Sequence, residues 1–187
     1  MKKSVRLLII MFLLALVVHP RLTYAASKAD IDRDAKAALE TLYQSTPAAR
    51  QLAEKAKGIL VFPSIFKGGL IVGAQYGDGA LFKNGKVVGY YNSVAGSYGL
   101  QAGVQKFGYA MFFMNDAALA YLNKSKGWEI GVGPSVVVVD KESAVAFGKS
   151  LTTSTLKDDI YAFIFSQKGL MAGLGLQGSK ITRIEPD

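Results

Sequence analysis

The chain has 187 residues, 22 of them basic and 14 acidic, with one histidine, no cysteine and a formal charge of +8. The histidine, His19, falls in an N-terminal stretch that reads as a removable signal, so the remainder has neither His nor Cys. That excludes Ser-His-Asp and Cys-His nucleophiles, His/Cys zinc sites, disulfides and lipobox acylation.

Lys2, Lys3 and Arg6 form a basic start, Leu7 to Val18 an apolar run, and Thr23-Tyr24-Ala25 a small-residue cleavage site. The run is shorter than the roughly 20 residues a spanning helix needs, so residues 1–25 are expected to be a signal peptide and 26–187 a single domain. The expected location is exported: periplasmic, peripherally attached to an envelope, or secreted. Without Lys2, Lys3, Arg6 and Arg21 the formal charge is +4. A mild excess without a dense Lys/Arg stripe suits an anionic surface and argues against nucleic acid.

In chain order, Ile31, Ala35, Leu39 and Leu42 fall at helical spacing and predict a helix over about 27–44, capped by Ser27 or Asp30. Pro47 restarts a second helix over about 47–57, which Gly58 ends. Strands are predicted at 59–62, 69–76, 80–83, 86–91, 94–104, 107–114, 128–132, 135–139, 160–167, 170–177 and 180–184. Asn84-Gly85 signals a two-residue hairpin, and Asn115 caps a helix running to about Asn123. Residues 143–156 read as loop, and the adjacent acids Asp158-Asp159 as turn residues rather than a catalytic pair. The expected fold is α+β: N-terminal helices, then a Gly-rich, mostly antiparallel sheet closed or nearly closed into a barrel or sandwich, with one interrupting helix.

Three glycine-bounded segments recur: GLIVG at 69–73, GLQAG at 99–103 and GLMAG at 169–173. Alternation places Gly69, Ile71, Gly73, Gln75 and Gly77 on one strand face and Leu70, Val72, Ala74 and Tyr76 on the other. Gln101, Gln105 and Gln177 share the glycine-lined pattern. The glycines serve either strong sheet coiling or a shallow groove for an apolar chain or covering helix. GLGLQG at 173–178 matches GxGxxG, yet the strand-like SKITRIE that follows removes the helix a dinucleotide site requires.

Pro63 is expected to end a strand, placing Ile65 and Phe66 of the Phe62–Lys67 bend on a surface loop. Apolar side chains there, flanked by Lys57 and Lys67, suit a membrane interface; covering the base of the barrel is the alternative use.

Three blocks carry a family resemblance: AEKAKGILVFPSIFKGGLIVGAQYGDGAL (53–81), SYGLQAGVQKFGYAMFFMND (97–116) and IYAFIFSQKGLMAGLGLQGSKI (160–181). In that order they resemble the SYLF lipid-binding domain family, also described as an actin-binding domain of eukaryotic endocytic proteins. The resemblance implies binding of anionic lipid through an N-terminal amphipathic helix and nearby bases, which here are Arg50, Lys55, Lys57 and Lys67. The first helix departs from that pattern, since its polar face is slightly acidic.

The sequence thus leads to a non-enzymatic protein without cofactor that docks on an anionic phospholipid surface. Its expected lipid-binding residues are Arg50, Lys55, Lys57, Phe62, Ile65, Phe66 and Lys67. The alternative is an envelope scaffold that binds a protein partner, and a third reading is a carrier enclosing one acyl chain.

Overall fold

The computed structural model describes residues 26–69, 72–98, 103–124, 126–139, 156–169 and 179–187. The expected signal peptide at 1–25, the expected loop at 143–156 except its last residue, and the whole of the expected strand at 170–177 lie outside the described residues.

Two helices lead. Helix α1 (Lys28–Ser45) is capped by Ser27, whose hydroxyl accepts from the Asp30 N–H at 3.2 Å, and it buries Ile31, Ala35, Leu39 and Leu42. Helix α2 (Pro47–Ala53) opens on Pro47, where a missing N–H costs nothing. It ends four residues before the expected boundary.

Among the described residues eight strands follow: β1 (Gly58–Gly69), β2 (Val72–Lys83), β3 (Lys86–Tyr98), β4 (Gly103–Phe113), β5 (Trp128–Glu129), β6 (Val136–Val139), β7 (Ile160–Gly169) and β8 (Lys180–Ile184). They form one sheet in the order β5-β8-β3-β2-β1-β4-β7-β6, antiparallel except for the parallel β6/β7 pair. Helix α3 (Asp116–Ala120) interrupts the series after β4 and passes into a 3₁₀ turn at Tyr121–Asn123. Asn115 caps α3 by accepting from the Ala118 N–H at 2.8 Å. Asn84 and Gly85 make the β2/β3 turn with φ of 50° and 74°, the left-handed pair such a hairpin needs.

Pro63 does not end a strand. Strand β1 runs on from Gly58 to Gly69, and the register with both neighbours shifts around residues 63–64. At that bulge the imide nitrogen has no ladder bond to lose, so a central strand tolerates proline. The expected strand 59–62 accordingly belongs to the longer β1, the expected strand 69–76 instead divides between the end of β1 and the start of its antiparallel neighbour β2, and Ile65 and Phe66 sit in β1 rather than on a loop.

Both sheet faces are apolar over most of their length, which is why simple alternation is weak. The inner face gathers Leu60, Phe62, Ile65, Tyr91, Tyr109, Met111 and Phe113 with Leu119 and Leu122 of the interrupting helix. The outer face sets Ile59, Val61, Ala80, Phe82, Ala110, Phe112 and Phe163 against α1. The sheet curls as a half-barrel: Trp128 of β5 reaches Phe113 of β4, five places along the strand order.

Candidate interaction surface

The expected lipid-binding residues do not form one patch. Arg50, Lys55 and Lys57 are exposed around the end of α2 and the start of β1. Phe66 and Lys67 lie at the far end of β1, about 30 Å away at the ordinary rise per strand residue. Arg50 stacks over the Tyr43 ring at 5.0 Å and approaches Glu40 at 3.7 Å. Burial pushes the Tyr43 phenol up to about 12. Phe62 and Ile65 are fully buried in the inner core, where Phe62 stacks on Tyr109 at 6.0 Å. Phe66 alone of the expected apolar residues faces solvent.

Cross-strand register shows what surrounds it. Lys180, Val94, Tyr76, Phe66, Lys106 and Lys168 are successive partners across β8, β3, β2, β1, β4 and β7. Directly opposed residues share a face, so the six make one row on the outer side of the sheet. Its centre is apolar and exposed: Val94 by 47%, Tyr76 by 54% and Phe66 by 52%. Val72 and Val104, each 68% exposed, extend the surface toward the ends of β2 and β4. Lys106 holds its ammonium 5.0 Å from the centre of the Phe66 ring. Lys106 and Lys168 stand directly opposite each other, a like-charge pairing that costs stability and that an anionic partner would relieve.

Helix α1 borders this row. Its N-terminal half forms one wall of a dent of about 170 Å³ with Asp30 and Asp34, over a floor that includes Phe66, Tyr76 and Asp78. Its C-terminal half borders a second dent of about 170 Å³ through Thr41 and Ser45, next to Phe165 and Ser166. The first dent is acidic. The Ser27 hydroxyl, then Arg33, hold the Asp30 carboxyl below the usual carboxylate range. Arg33 donates to both Asp30 and Asp34, at 2.8 and 2.9 Å. Among the described residues Asp78 accepts only from neutral donors, the Tyr76 hydroxyl at 3.0 Å and the Asn92 amide at 2.8 Å.

The inner face at the same end is polar. Gln75, Lys67 and Gln105 are successive register partners, with both glutamines buried. Gln75 donates to the Ser179 hydroxyl at 3.4 Å. The glycine and glutamine face is therefore the inside of the curl, and the apolar face with Val72, Ala74 and Tyr76 meets water. Among the described residues no group of His, Cys, Asp and Glu side chains is placed to hold a metal ion.

Residues 94–185 match the family model described as Ysc84: Las17-binding protein actin regulator. Over that region the resemblance to the SYLF family stands. No curated protein matches the chain. The matched region carries Val94, Val104, Lys106, Lys168 and Lys180 of the outer row; Phe66 and Tyr76 precede it.

Lys106, Lys168 and Lys180 did not emerge from the sequence, because each stands singly in its own strand. Only the pairing of six strands, from β8 through to β7, aligns them. The one usable signal was the alternation of Val104 and Lys106 with the buried Gln105.

Proposed function

We propose that this chain is a non-enzymatic interaction module that holds a protein partner on the exposed part of its outer sheet face. The match of residues 94–185 to a family described by its binding to another protein, Las17, carries this reading. The row centred on Phe66 and Tyr76 supplies a surface of suitable chemistry: an aromatic and aliphatic centre beside charges that can be satisfied across an interface. The signal-like residues 1–25 support an exported location for the module.

A second reading has an observation of its own. Aromatic side chains flanked by Lys106 and Lys168 also suit an anionic phospholipid surface, with rings at the headgroup level and ammonium groups on phosphates.

A photo-reactive side chain in place of Val104, irradiated in the cells that make the protein, separates the two. The expected product is a discrete adduct with a second protein, weakened when Phe66 is also changed to Ser. Adducts with phospholipid alone would overturn the protein reading in favour of the lipid one.

A further inference from the structure

Helices α1 and α2 cover part of the outer sheet face, and among the described residues the rest of that face, beside α1, has room for a further helix. Helix α1 crosses the strands: its start is tied near β8 by the Lys28 N–H donating to the Asp187 carbonyl at 2.9 Å. Its end borders Phe163 and Phe165 of β7. On one side of it α2 and the β2/β3 turn close a cleft of about 430 Å³ lined in part by Tyr43, Ile59 and Phe82. On the other side lies the shelf that holds Tyr76 and Phe66, with the two dents along the α1 flank. From β3 to β7 this shelf spans four strand spacings, about 19 Å, the length of a helix of about 13 residues.

The shelf is charged differently at its two ends. Asp30, Asp34 and Asp78 cluster beside Tyr76, with Arg33 offsetting part of their charge. Lys106 and Lys168 occupy the other end and make no ion pair among the described residues. A flat anionic bilayer lowered onto Phe66 would also press on those carboxylates, which favours an occupant whose charge varies along its length. An α-helix has that property, because its N-terminal end is partially positive and its C-terminal end partially negative.

We propose that the shelf beside α1 docks an amphipathic helix of a partner protein. This helix lays an apolar stripe on Phe66, Tyr76 and Val94, with a cationic side chain toward Asp78 and an anionic one toward Lys106 and Lys168. It packs at the spacing of neighbouring helices, 8–10 Å from α1 in general, and completes the layer that α1 begins. The mode is helix-in-groove recognition, with affinity from the stripe and orientation from the two charged ends. This rests on the protein-binding reading and specifies the partner's contacting element.

The test uses three labelled synthetic helical peptides with the same leucine stripe. One carries lysine at one end and glutamate at the other, one lysine at both ends, one glutamate at both. By fluorescence anisotropy with the full protein, the mixed-charge peptide is expected to bind about tenfold more tightly than either other. Lys106→Glu with Lys168→Glu is expected to weaken the mixed-charge peptide about tenfold while strengthening the all-lysine one, a reversal that a misfolded variant does not produce. Phe66→Ser weakens all three. Equal binding of the three peptides, or an order unchanged by the lysine reversals, overturns the proposal. So does self-association of the protein that Phe66→Ser abolishes, since the occupant is then a second copy, and so does vesicle flotation that depends on Lys106 and Lys168 without peptide binding. If no peptide binds while the Val104 adduct with a protein persists, the helix proposal falls and the protein-binding reading stands.

Discussion

Phe113 of β4 and Trp128 of β5 meet edge to face, their ring centroids 6.0 Å apart at an interplanar angle of 62°. Five places separate their strands in the sheet order, so this contact exists only because the sheet curls over its inner face. Trp128 also donates its indole N–H to the Val132 carbonyl at 2.9 Å and packs against Tyr121. Phe113→Ala removes a fully buried ring between the two sides of the curl, at an expected cost of about 3–5 kcal/mol. Because Trp128 is the only tryptophan, its fluorescence reads the change directly. Chemical denaturation should show the lower midpoint and a red-shifted native emission. A native spectrum and stability like the wild type would mean that the curl does not depend on this contact.

Glycines at the bulge have a packing role that substitution exposes. A Cβ on Gly77 would lie 2.6 Å from the Ser64 carbonyl oxygen and 3.2 Å from the Ile65 Cα, both backbone atoms of β1. A Cβ on Gly96, in the neighbouring β3, meets nothing within 4 Å. Gly77→Ala is therefore expected to destabilise by about 1–3 kcal/mol, and Gly96→Ala to be neutral or slightly stabilising. Paired thermal melts check the contrast, which fails if the two variants melt together.

What the sequence made legible were the features whose cause is local. Ser27 and Asn115 cap helices because each offers its side-chain oxygen to an N–H three residues on. Asn84-Gly85 turns because both residues accept a positive φ. The apolar spacing of α1 named the four residues that it buries. Features that depend on pairing stayed hidden. Pro63 reads as a stop until two neighbouring strands show a bulge around it, and the Phe62–Lys67 segment divides between core and surface only once β1 has partners. Of the two uses open to the glycine face, coiling with close backbone approach or a groove, the approach of β1 at Gly77 selects the first and puts that face inside. Arg50, Lys55 and Lys57 lie near Lys67 in sequence, but an extended strand carries them far apart.

Asp159 links two parts of the fold through its charge. Its carboxylate accepts from the Ser135 N–H at 2.9 Å and the Asn115 amide at 2.7 Å, joining the cap of α3 to the entry of β7. The Ser135 N–H first, then Asn115, lower its pKa below the ordinary 3.8. A depressed carboxyl pKa contributes stability that is complete above the unfolded value and lost as pH falls through the folded one. Asp159→Asn should thus lower the melting temperature by a constant margin at neutral pH. That margin should shrink once pH drops below about 3.8. Melting curves from pH 7 to pH 2 test this; a margin that stays constant across the range would show that the charge is not what stabilises.

Tyr109 presents the opposite balance. Its ring stacks on Phe62 in the inner core, while its hydroxyl, fully buried, finds no hydrogen-bond partner among the described residues. Desolvation alone pushes that phenol far above the usual tyrosine range, so it stays neutral at any physiological pH. A buried hydroxyl without a partner loses its hydration without compensation, at a cost of about 1–3 kcal/mol. Tyr109→Phe keeps the stacked ring and removes the uncompensated group, so the variant is expected to be as stable as the wild type or more stable by about 1 kcal/mol. Urea denaturation measures the difference. A loss of 1 kcal/mol or more would instead mean that the hydroxyl is held by an ordered water inside the curl, and that the polar row of Gln75, Lys67 and Gln105 above it opens onto a hydrated interior.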